Sequence, residues 1–360
     1  MTKKLIKIIS IFVGLFALYF IAILTFSTLT KWNPEKFIKL EIDGKASTTS
    51  VPDTFSILIW NIGYCGLGKE MDFFNDGGKS VRASQEQSEI YLTEIRNYIT
   101  TLSEHVEFVL LQEVDRNSKR SYHIDQYEAI SNDLNGFESV FALNYDVKFV
   151  PVPFQIPYKP YGKTYGGLMS LSQFSSTSSL RVQYPGGFSW PTSLYMLNRC
   201  ALEQTYNLSN GKKLMIVNTH NTAYDETGEI KKTEMEFMRN RYDSLTNAGY
   251  YIIIGGDWNQ IPPDFDPKKY SANLVSGYTP HGIESGMIPK NWKVVYDDQN
   301  PTNRSNETPY LAGRNYTTLI DFFMVSPDIS ILDIKTLKQD FKYSDHEPVL
   351  LKVCIHKPKD

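Results

Sequence analysis

Apolar residues fall along this chain in two rhythms. Short runs rich in Ile, Val and Phe cover 55–60, 107–112, 138–143, 199–207, 213–218, 250–255, 292–296, 319–325 and 348–354. Their length and their β-branched or aromatic content predict strands. Two stretches instead repeat at three and four residues. Tyr91, Ile95, Tyr98, Ile99 and Leu102 do so within 82–103, and Met235, Met238, Tyr242 and Leu245 within 229–247. That spacing gives each stretch one apolar face and predicts two helices. Strands interleaved with a few helices predict an α/β or α+β layered domain.

The N-terminus breaks both rhythms. Residues 8–29 carry no charge, long enough as a helix to cross a hydrocarbon core of about 30 Å. An Ala-x-Ala-like cleavage site is missing, so residues 1–30 are expected to be a retained membrane anchor rather than a cleaved signal. Lys3, Lys4 and Lys7 precede the run and favour a cytoplasmic N-terminus, which leaves the following domain extracytoplasmic. Residues 31–52 end in Gly44, Ala46, Ser47, Thr48, Thr49, Ser50 and Pro52, and read as a connector that buries little. The folded domain is expected over 53–360. Within it, 149–167 and 260–291 lack periodicity and are expected to be long loops, the first crowded with Phe149, Phe154, Tyr158, Tyr161 and Tyr165.

Charge and cysteine content narrow the partners. The net charge is −3, and without the three N-terminal lysines 34 basic residues face 40 acidic ones. Long nucleic acid held without sequence preference usually calls for a basic face, and this balance does not require one. Cys65, Cys200 and Cys354 are too far apart for the close pairs of a typical zinc site.

The chemistry sits where the strands end. Ile57-Leu58-Ile59-Trp60 ends in Asn61, and Phe108-Val109-Leu110-Leu111-Gln112 ends in Glu113. Leu214-Met215-Ile216-Val217-Asn218-Thr219 ends in His220, and Tyr251-Ile252-Ile253-Ile254-Gly255-Gly256 ends in Asp257, followed by Trp258 and Asn259. Strand ends of a layered domain converge on one rim, where ligands bind. Asp321 lies inside an apolar strand, where a carboxylate needs a partner, and Asp345 and His346 stand just before the last strand. Any one of these could be a turn residue or a surface charge. In order and together they form an oxygen-rich set suited to Mg²⁺, Mn²⁺ or Ca²⁺, with imidazoles and amides able to donate to phosphate.

The blocks Trp60-Asn61, Leu111-Gln112-Glu113-Val114, Asn218-Thr219-His220, Gly256-Asp257-Trp258-Asn259, Ile320-Asp321-Phe322 and Ser344-Asp345-His346-Glu347-Pro348 resemble those of the endonuclease/exonuclease/phosphatase superfamily of metal-dependent phosphoesterases. The resemblance spans Phe55 to Val353. It implies a four-layer α/β/β/α sandwich of two packed mixed sheets, here preceded by one transmembrane helix. It also implies that Glu113, Asn61 and Asp345 bind the metal. Asp257 would position or deprotonate water, Asn259 would hold the water or the phosphate, and His220 and His346 would donate to phosphate oxygens. Asp321 would orient His346. Arg199 matches either a basic position that reaches the site or a solvated strand-edge arginine. The block Tyr165-Gly166-Gly167-Leu168-Met169-Ser170 departs from the family pattern, with Gly167 where a polar residue is common, and Asn221 follows His220 where an apolar one is.

The expected activity is therefore Mg²⁺-dependent hydrolysis of a phosphate ester, foremost a phosphodiester. Sphingomyelinase-like, phospholipase C-like or phosphoinositide phosphatase action on lipid is the alternative, favoured by the anchor and the aromatic loop. A catalytically silent binding protein on the same fold is a further one, against which the intact set of eight residues speaks. The expected partners are a nucleic acid or phospholipid substrate and the membrane, and the sequence indicates no protein partner.

Overall fold

Alternation along the strands builds the layers. In a strand, successive side chains point to opposite faces. Here both faces are apolar: Ile57 and Ile59 point one way and Leu58 and Trp60 the other, all buried. A sheet apolar on both faces must be covered on both. The computed structural model, which describes residues 2–271 and 281–355, shows how this is done.

In chain order the elements are α1 (Thr2–Leu29), β1 (Phe37–Lys39), β2 (Asp43–Gly44), β3 (Thr54–Asn61), α2 (Gln85–Leu102), β4 (Phe108–Asp115), α3 (Gln126–Ser131), β5 (Glu138–Val150), β6 (Gly162–Ser172), β7 (Ser178–Gln183), β8 (Cys200–Asn207), β9 (Lys213–His220), α4 (Glu229–Asn247), β10 (Tyr251–Asp257), β11 (Lys293–Val295), β12 (Asn303–Arg304), β13 (Thr317–Thr318), β14 (Asp321–Val325), β15 (Ile329–Thr336) and β16 (Val349–Ile355). One mixed sheet runs β15-β16-β3-β4-β6-β5-β2, and the other β1-β7-β8-β9-β10-β14-β11. Each has one parallel pair at its centre, β3 with β4 and β9 with β10, flanked by antiparallel neighbours. A parallel pair needs a long crossover. Helix α2 supplies the first, capped where the Ser84 side chain accepts from the Gln87 N–H, and α4 supplies the second.

The predicted four-layer sandwich of two packed mixed sheets is what the chain forms. Ile57, Ile59, Phe108, Leu110, Ile216, Ile253, Phe323, Leu351 and Val353 fill the space between the sheets. Leu58, Trp60 and Leu111 pack outward with Tyr91, Ile95 and Ile99 of α2. Val217, Ile252 and Ile254 do the same with Met235, Met238 and Tyr242 of α4. Each fully buried side chain of this size contributes about 1.5–3 kcal/mol. A polar clamp crosses the middle layer. The Gln112 amide donates to Asn218 Oδ1 at 2.8 Å, and Asn218 Nδ2 donates to the carbonyls of Leu111 at 3.0 Å and Met169 at 2.9 Å.

The structure departs from the sequence expectation chiefly in three places, and one expectation lies partly outside the described residues. The loop expected over 149–167 is confined to 151–161, because β5 extends to Val150 and β6 begins at Gly162. Strands β7 and β15 lie outside the expected runs, the first because Ser, Arg and Gln dilute its apolar positions, the second because it is an outer strand with exposed Asp333. The segment 31–52 adds β1 to the edge of one sheet, against β7, and β2 to the edge of the other, against β5. Part of the loop expected over 260–291 falls on 272–280, outside the described residues. The three cysteines are free. Helix α1 is long and apolar enough to cross a membrane, as a signal sequence would also be.

Candidate active site

The inner-face alternation that fills the middle layer continues past the last apolar residue of each strand, and at the rim it delivers polar groups. After Ile57 and Ile59 comes Asn61, after Ile216 and Asn218 comes His220, and after Ile253 and Gly255 comes Asp257. In β14, which runs antiparallel, Phe323 is followed toward the rim by Asp321. Across the sheet Asp257 pairs in register with His220 on one side and Asp321 on the other. Only glycine suits position 256, where φ is +148° and a Cβ would lie 2.0 Å from the Thr219 carbonyl oxygen.

Glu113 reaches the rim by a different device. The ladder between β4 and β6 breaks between Leu111 and Val114, and Glu113 has φ +56°. Left-handed backbone at a non-glycine residue costs about 1–3 kcal/mol and persists where the surroundings enforce it. The irregularity sits at the rim, and Glu113 Oε1 there lies 3.3 Å from Asn61 Nδ2. Asp345 comes from the turn before β16. Its Oδ2 accepts from Asn306 Nδ2 at 2.7 Å, and its Oδ1 lies so close to Gly63 that a Cβ there would approach to 2.9 Å. Trp60 Nε1 donates to the His346 carbonyl at 2.9 Å, and Ser344 Oγ to the Asn61 carbonyl at 2.7 Å, so this turn is locked to the end of β3.

Asp257 is the meeting point. Its Oδ2 accepts from Asn61 Nδ2 at 2.9 Å and lies 3.3 Å from His220 Nε2 and 3.7 Å from His346 Nε2. Its Oδ1 accepts from the Asn259 N–H at 2.9 Å. Asn259 itself adopts φ +50° and donates Nδ2 to the Asn221 carbonyl at 3.0 Å. His346 Nδ1 lies 2.8 Å from Asp321 Oδ2. All of these groups are buried except Glu113 and Asn259, which are half-buried.

Burial and neighbours set the two histidines apart. Burial, reinforced by Arg199 and His346, holds His220 well below the usual imidazole range, so it is neutral. Burial also opposes charge on His346, but Asp321 and Asp257 outweigh it and push its pKa up to about 10, so it is an imidazolium. Asp257 is raised by burial to about 6, with His346 lowering it and Asp321 raising it. The ligand atoms of Asp257, Asp321 and His346 lie within 4.8 Å of one another, close enough to hold a cation. The imidazolium already supplies positive charge there, and Nδ1 is engaged by Asp321.

Around Glu113 the close cation, Arg120, is already engaged elsewhere. Burial and Asp345 raise the Glu113 pKa, while Arg120 lowers it. Arg120 is 3.7 Å from Glu113 Oε2 but is committed to Asp115 through two bonds of 2.8 and 2.9 Å. Glu113, Asp345 and Asn61 thus form an oxygen-bearing set short of positive charge, which fits a hard divalent cation.

Arg199 is buried at 7% exposure. Among the described residues no carboxylate forms an ion pair with it, and its Nη1 is buried without a partner. The strand-edge solvated arginine is therefore not what the fold contains. A buried, unpaired guanidinium is costly unless an anion completes it. Around it lies a cavity of about 110 Å³ that is also lined by Lys31, Gly186, Gly187, Thr222 and Glu234.

All nine sequence-derived residues thus lie at or beside this rim. Sequence reasoning missed those that loops bring in. Asn306 donates to both Asp345 and Asp76, Tyr224 OH donates to Asp76 at 2.9 Å, and Asn303 Nδ2 lies 3.0 Å from His346 Nε2. None of them ends an apolar run, so no pattern marked them. Gly167 packs against β5, where a Cβ would come within 2.1 Å of the Ala142 carbonyl oxygen, so it offers no side chain to a substrate.

A family model described as the Endonuclease/Exonuclease/phosphatase family matches residues 58–346. No curated protein matches the sequence. Solved structures share the fold. An endonuclease/exonuclease/phosphatase from Beutenbergia cavernae has 15% identity and a TM-score of 0.58, over 84% of this chain and 72% of that one. ANGEL2, described as a 2',3'-cyclic phosphatase and solved with adenosine-2',3'-vanadate, has 15% identity and a TM-score of 0.52, over 88% and 99%. The human Nocturnin catalytic domain with bound sulfate has 18% identity and a TM-score of 0.50, over 88% and 98%.

Proposed function

The chain belongs to the endonuclease/exonuclease/phosphatase family, and from that premise we propose that it is a divalent-metal-dependent hydrolase that cleaves a phosphate ester, foremost a phosphodiester, by attack of water. The observation that carries this reading is the convergence on Asp257 of two imidazoles and an amide, beside a buried arginine that makes no ion pair among the described residues.

Glu113, Asp345 and Asn61 would hold the cation, with Mg²⁺ the expected ion and Mn²⁺ or Ca²⁺ suited to the same oxygens. A bound dication supplies Lewis-acid polarisation of the phosphoryl group. The protein side chains divide the remaining work. Arg199 pairs with a phosphate oxygen and so satisfies a guanidinium that the fold leaves open. Asp257, with a pKa near 6, is charged at neutral pH yet basic enough to take a proton from water. Asn259, tethered to Asn221, holds that water or the phosphate. His220 donates to phosphate while neutral. His346, held by Asp321, presents Nε2–H to the oxygen on which charge builds.

Residues 1–30 are read as the membrane anchor and 53–360 as the phosphoesterase domain, facing away from the cytoplasm. The test is a Mg²⁺-dependent activity panel on the full chain in nanodiscs, with plasmid DNA, RNA, sphingomyelin and phosphoinositides side by side. Hydrolysis of at least one substrate that EDTA abolishes and Mg²⁺ restores is expected. Folded protein inactive on every substrate would overturn the reading.

A further inference from the structure

Among the described residues, the segment 151–160 is the most exposed apolar stretch of the folded domain. Val152, Phe154, Ile156 and Tyr158 all project from it, and Ile156 is fully exposed at 102%. Trp190, which meets the same helix α1 at Thr28, is 60% exposed. Contiguous exposed apolar surface of this kind marks a contact with protein or membrane.

Its neighbour says which. Phe154 packs on Phe20 of α1 with ring centroids 5.5 Å apart, and Tyr158 shares a hydroxyl contact of 3.1 Å with Tyr19. Trp190 Nε1 donates to Thr28 Oγ1 at 3.3 Å. Asn198 Nδ2 donates to the Trp32 carbonyl at 3.3 Å, and Arg181 stands 4.9 Å from the Trp32 ring. The apolar loop therefore lies against Tyr19 and Phe20 of the helix that, among the described residues, is long and apolar enough to cross a bilayer.

The depths agree. Leu5 to Leu24 is 20 residues, about 30 Å of helix, the thickness of the hydrocarbon core, and its one charge, Lys7, lies within a turn of the far end, where a lysine snorkels to the headgroups. Thr25, Ser27, Thr28 and Thr30 follow, as suits the headgroup layer. Trp190 beside Thr28 then sits where interfacial tryptophans collect. Tyr19 and Phe20 lie about 7 Å inside the boundary, a depth at which apolar side chains enter the headgroup–acyl zone. The loop is suited to that zone. Four of its ten residues are proline and bring no N–H to leave unbonded, and its single charge, Lys159, is near one end. Two of its carbonyls are bonded, Val152 by Tyr161 N–H and Pro151 by Tyr158 OH, each at 2.8 Å.

We propose that loop 151–160 and Trp190 enter the same leaflet as the end of α1 and seat the Arg199 side of the rim on the membrane, so that the phosphate ester acted on belongs to a bilayer phospholipid. The cavity beside Arg199 is lined by Lys31, two residues past the end of α1, and so lies at the level where the helix leaves the bilayer. A lipid phosphate held at that level faces Lys31 and Arg199, while Glu234 in the same lining is engaged by the Thr222 N–H and hydroxyl. The substrate part rests on the phosphoesterase reading, and the seating does not.

The test uses the full chain in phosphatidylcholine nanodiscs, in a Cys354→Ser background because Cys65 and Cys200 are buried. A fluorophore is placed at Ile156→Cys or, as control, at Leu332→Cys on the exposed face of β15. The Ile156 probe should be quenched by nitroxide-bearing lipid and shielded from iodide, and the Leu332 probe the reverse. Quenching by iodide at both sites overturns the seating. Shielding from both quenchers at Ile156 also overturns it, since protein then covers the patch. In parallel, Phe154→Ser/Ile156→Ser/Trp190→Ser should lower hydrolysis of phospholipid in vesicles by ~10-fold or more, given the apolar area withdrawn from lipid. The rate on a soluble chromogenic phosphodiester should stay unchanged. An equal fall on both substrates, or no fall on vesicles, overturns the proposal. If the wild type hydrolyses neither, the phosphoesterase reading has failed, and the quenching result alone decides the seating.

Discussion

The two halves of the sandwich share one plan and bring different chemistry to the rim. In each, a parallel pair is bridged by a helix and ends in polar residues: β3-α2-β4 gives Asn61 and Glu113, and β9-α4-β10 gives His220 and Asp257. The first half offers an amide and a carboxylate with little compensating charge. The second offers an imidazole and a carboxylate, completed by Asp321 from its own sheet and by His346 from the turn before β16. On the proposed reading, one half holds a cation and the other handles protons and phosphate. Asn61, bonded to both Glu113 and Asp257, is the seam. Equivalent topology thus leaves the role of a strand end open, and the residue at that end decides it.

The strongest way to break this comparison is Asp257→Asn. It should lower kcat by ~10³-fold, within the range of general base catalysis, while leaving Mg²⁺ affinity nearly unchanged. Burial raises the Asp257 pKa from 3.8 to about 6, so the charged form destabilises the metal-free fold above that pH, and below about 3.8 the penalty is gone. The variant's Tm at pH 8 should therefore be no lower than wild type, as calorimetry would read. A variant that lost Mg²⁺ binding instead would dissolve the division between the halves.

Glu113→Gln tests the other half. It should lower activity at physiological Mg²⁺ by ~10²-fold and be partly rescued by excess Mg²⁺, with titration calorimetry reporting the weakened affinity. An altered pH profile with unchanged Mg²⁺ dependence would argue against the assignment. Arg199→Met should reduce kcat/KM by ~10–100-fold, as loss of a charge-assisted bond does, and should raise Tm by removing an unpaired buried charge. Asp321→Asn should cost ~10-fold in kcat. Because Asp321 is the largest of the influences that raise the His346 pKa to about 10, its removal should move the alkaline limb of the rate profile toward lower pH. The smallest effect on chemistry is expected from Asn218→Ala. It strands two buried carbonyls and should cost about 2 kcal/mol in urea unfolding, with the site's pH profile unmoved.

Much of this was legible in the chain. Helices expected over 82–103 and 229–247 formed at Gln85–Leu102 and Glu229–Asn247, since three-and-four spacing marks a buried face whatever lies opposite. The rim groups were legible because each interrupts an apolar alternation, and such interruptions are rare inside a core. Three kinds of information were not. The irregularity at Glu113 depends on how β4 meets β6 and leaves no local mark. Asp76, Asn303 and Asn306 sit in polar segments where an acid or amide is unremarkable until the chain folds back. The strands of 31–52 are too short to show a period, and only their partners β7 and β5 make them strands.

Those two short strands bear on how the molecule can be shortened. Phe37–Lys39 covers the outer side of β7 and Asp43–Gly44 part of the outer side of β5. A version begun after residue 44, though it keeps every residue of the rim, would bare a row of unbonded amides at one end of each sheet. Such rows recruit strands from other molecules. A soluble form trimmed to the domain boundary read from the sequence would be prone to self-association and fibre growth. One begun at Trp32 would lose the anchor and keep β1 and β2 over the edges of β7 and β5.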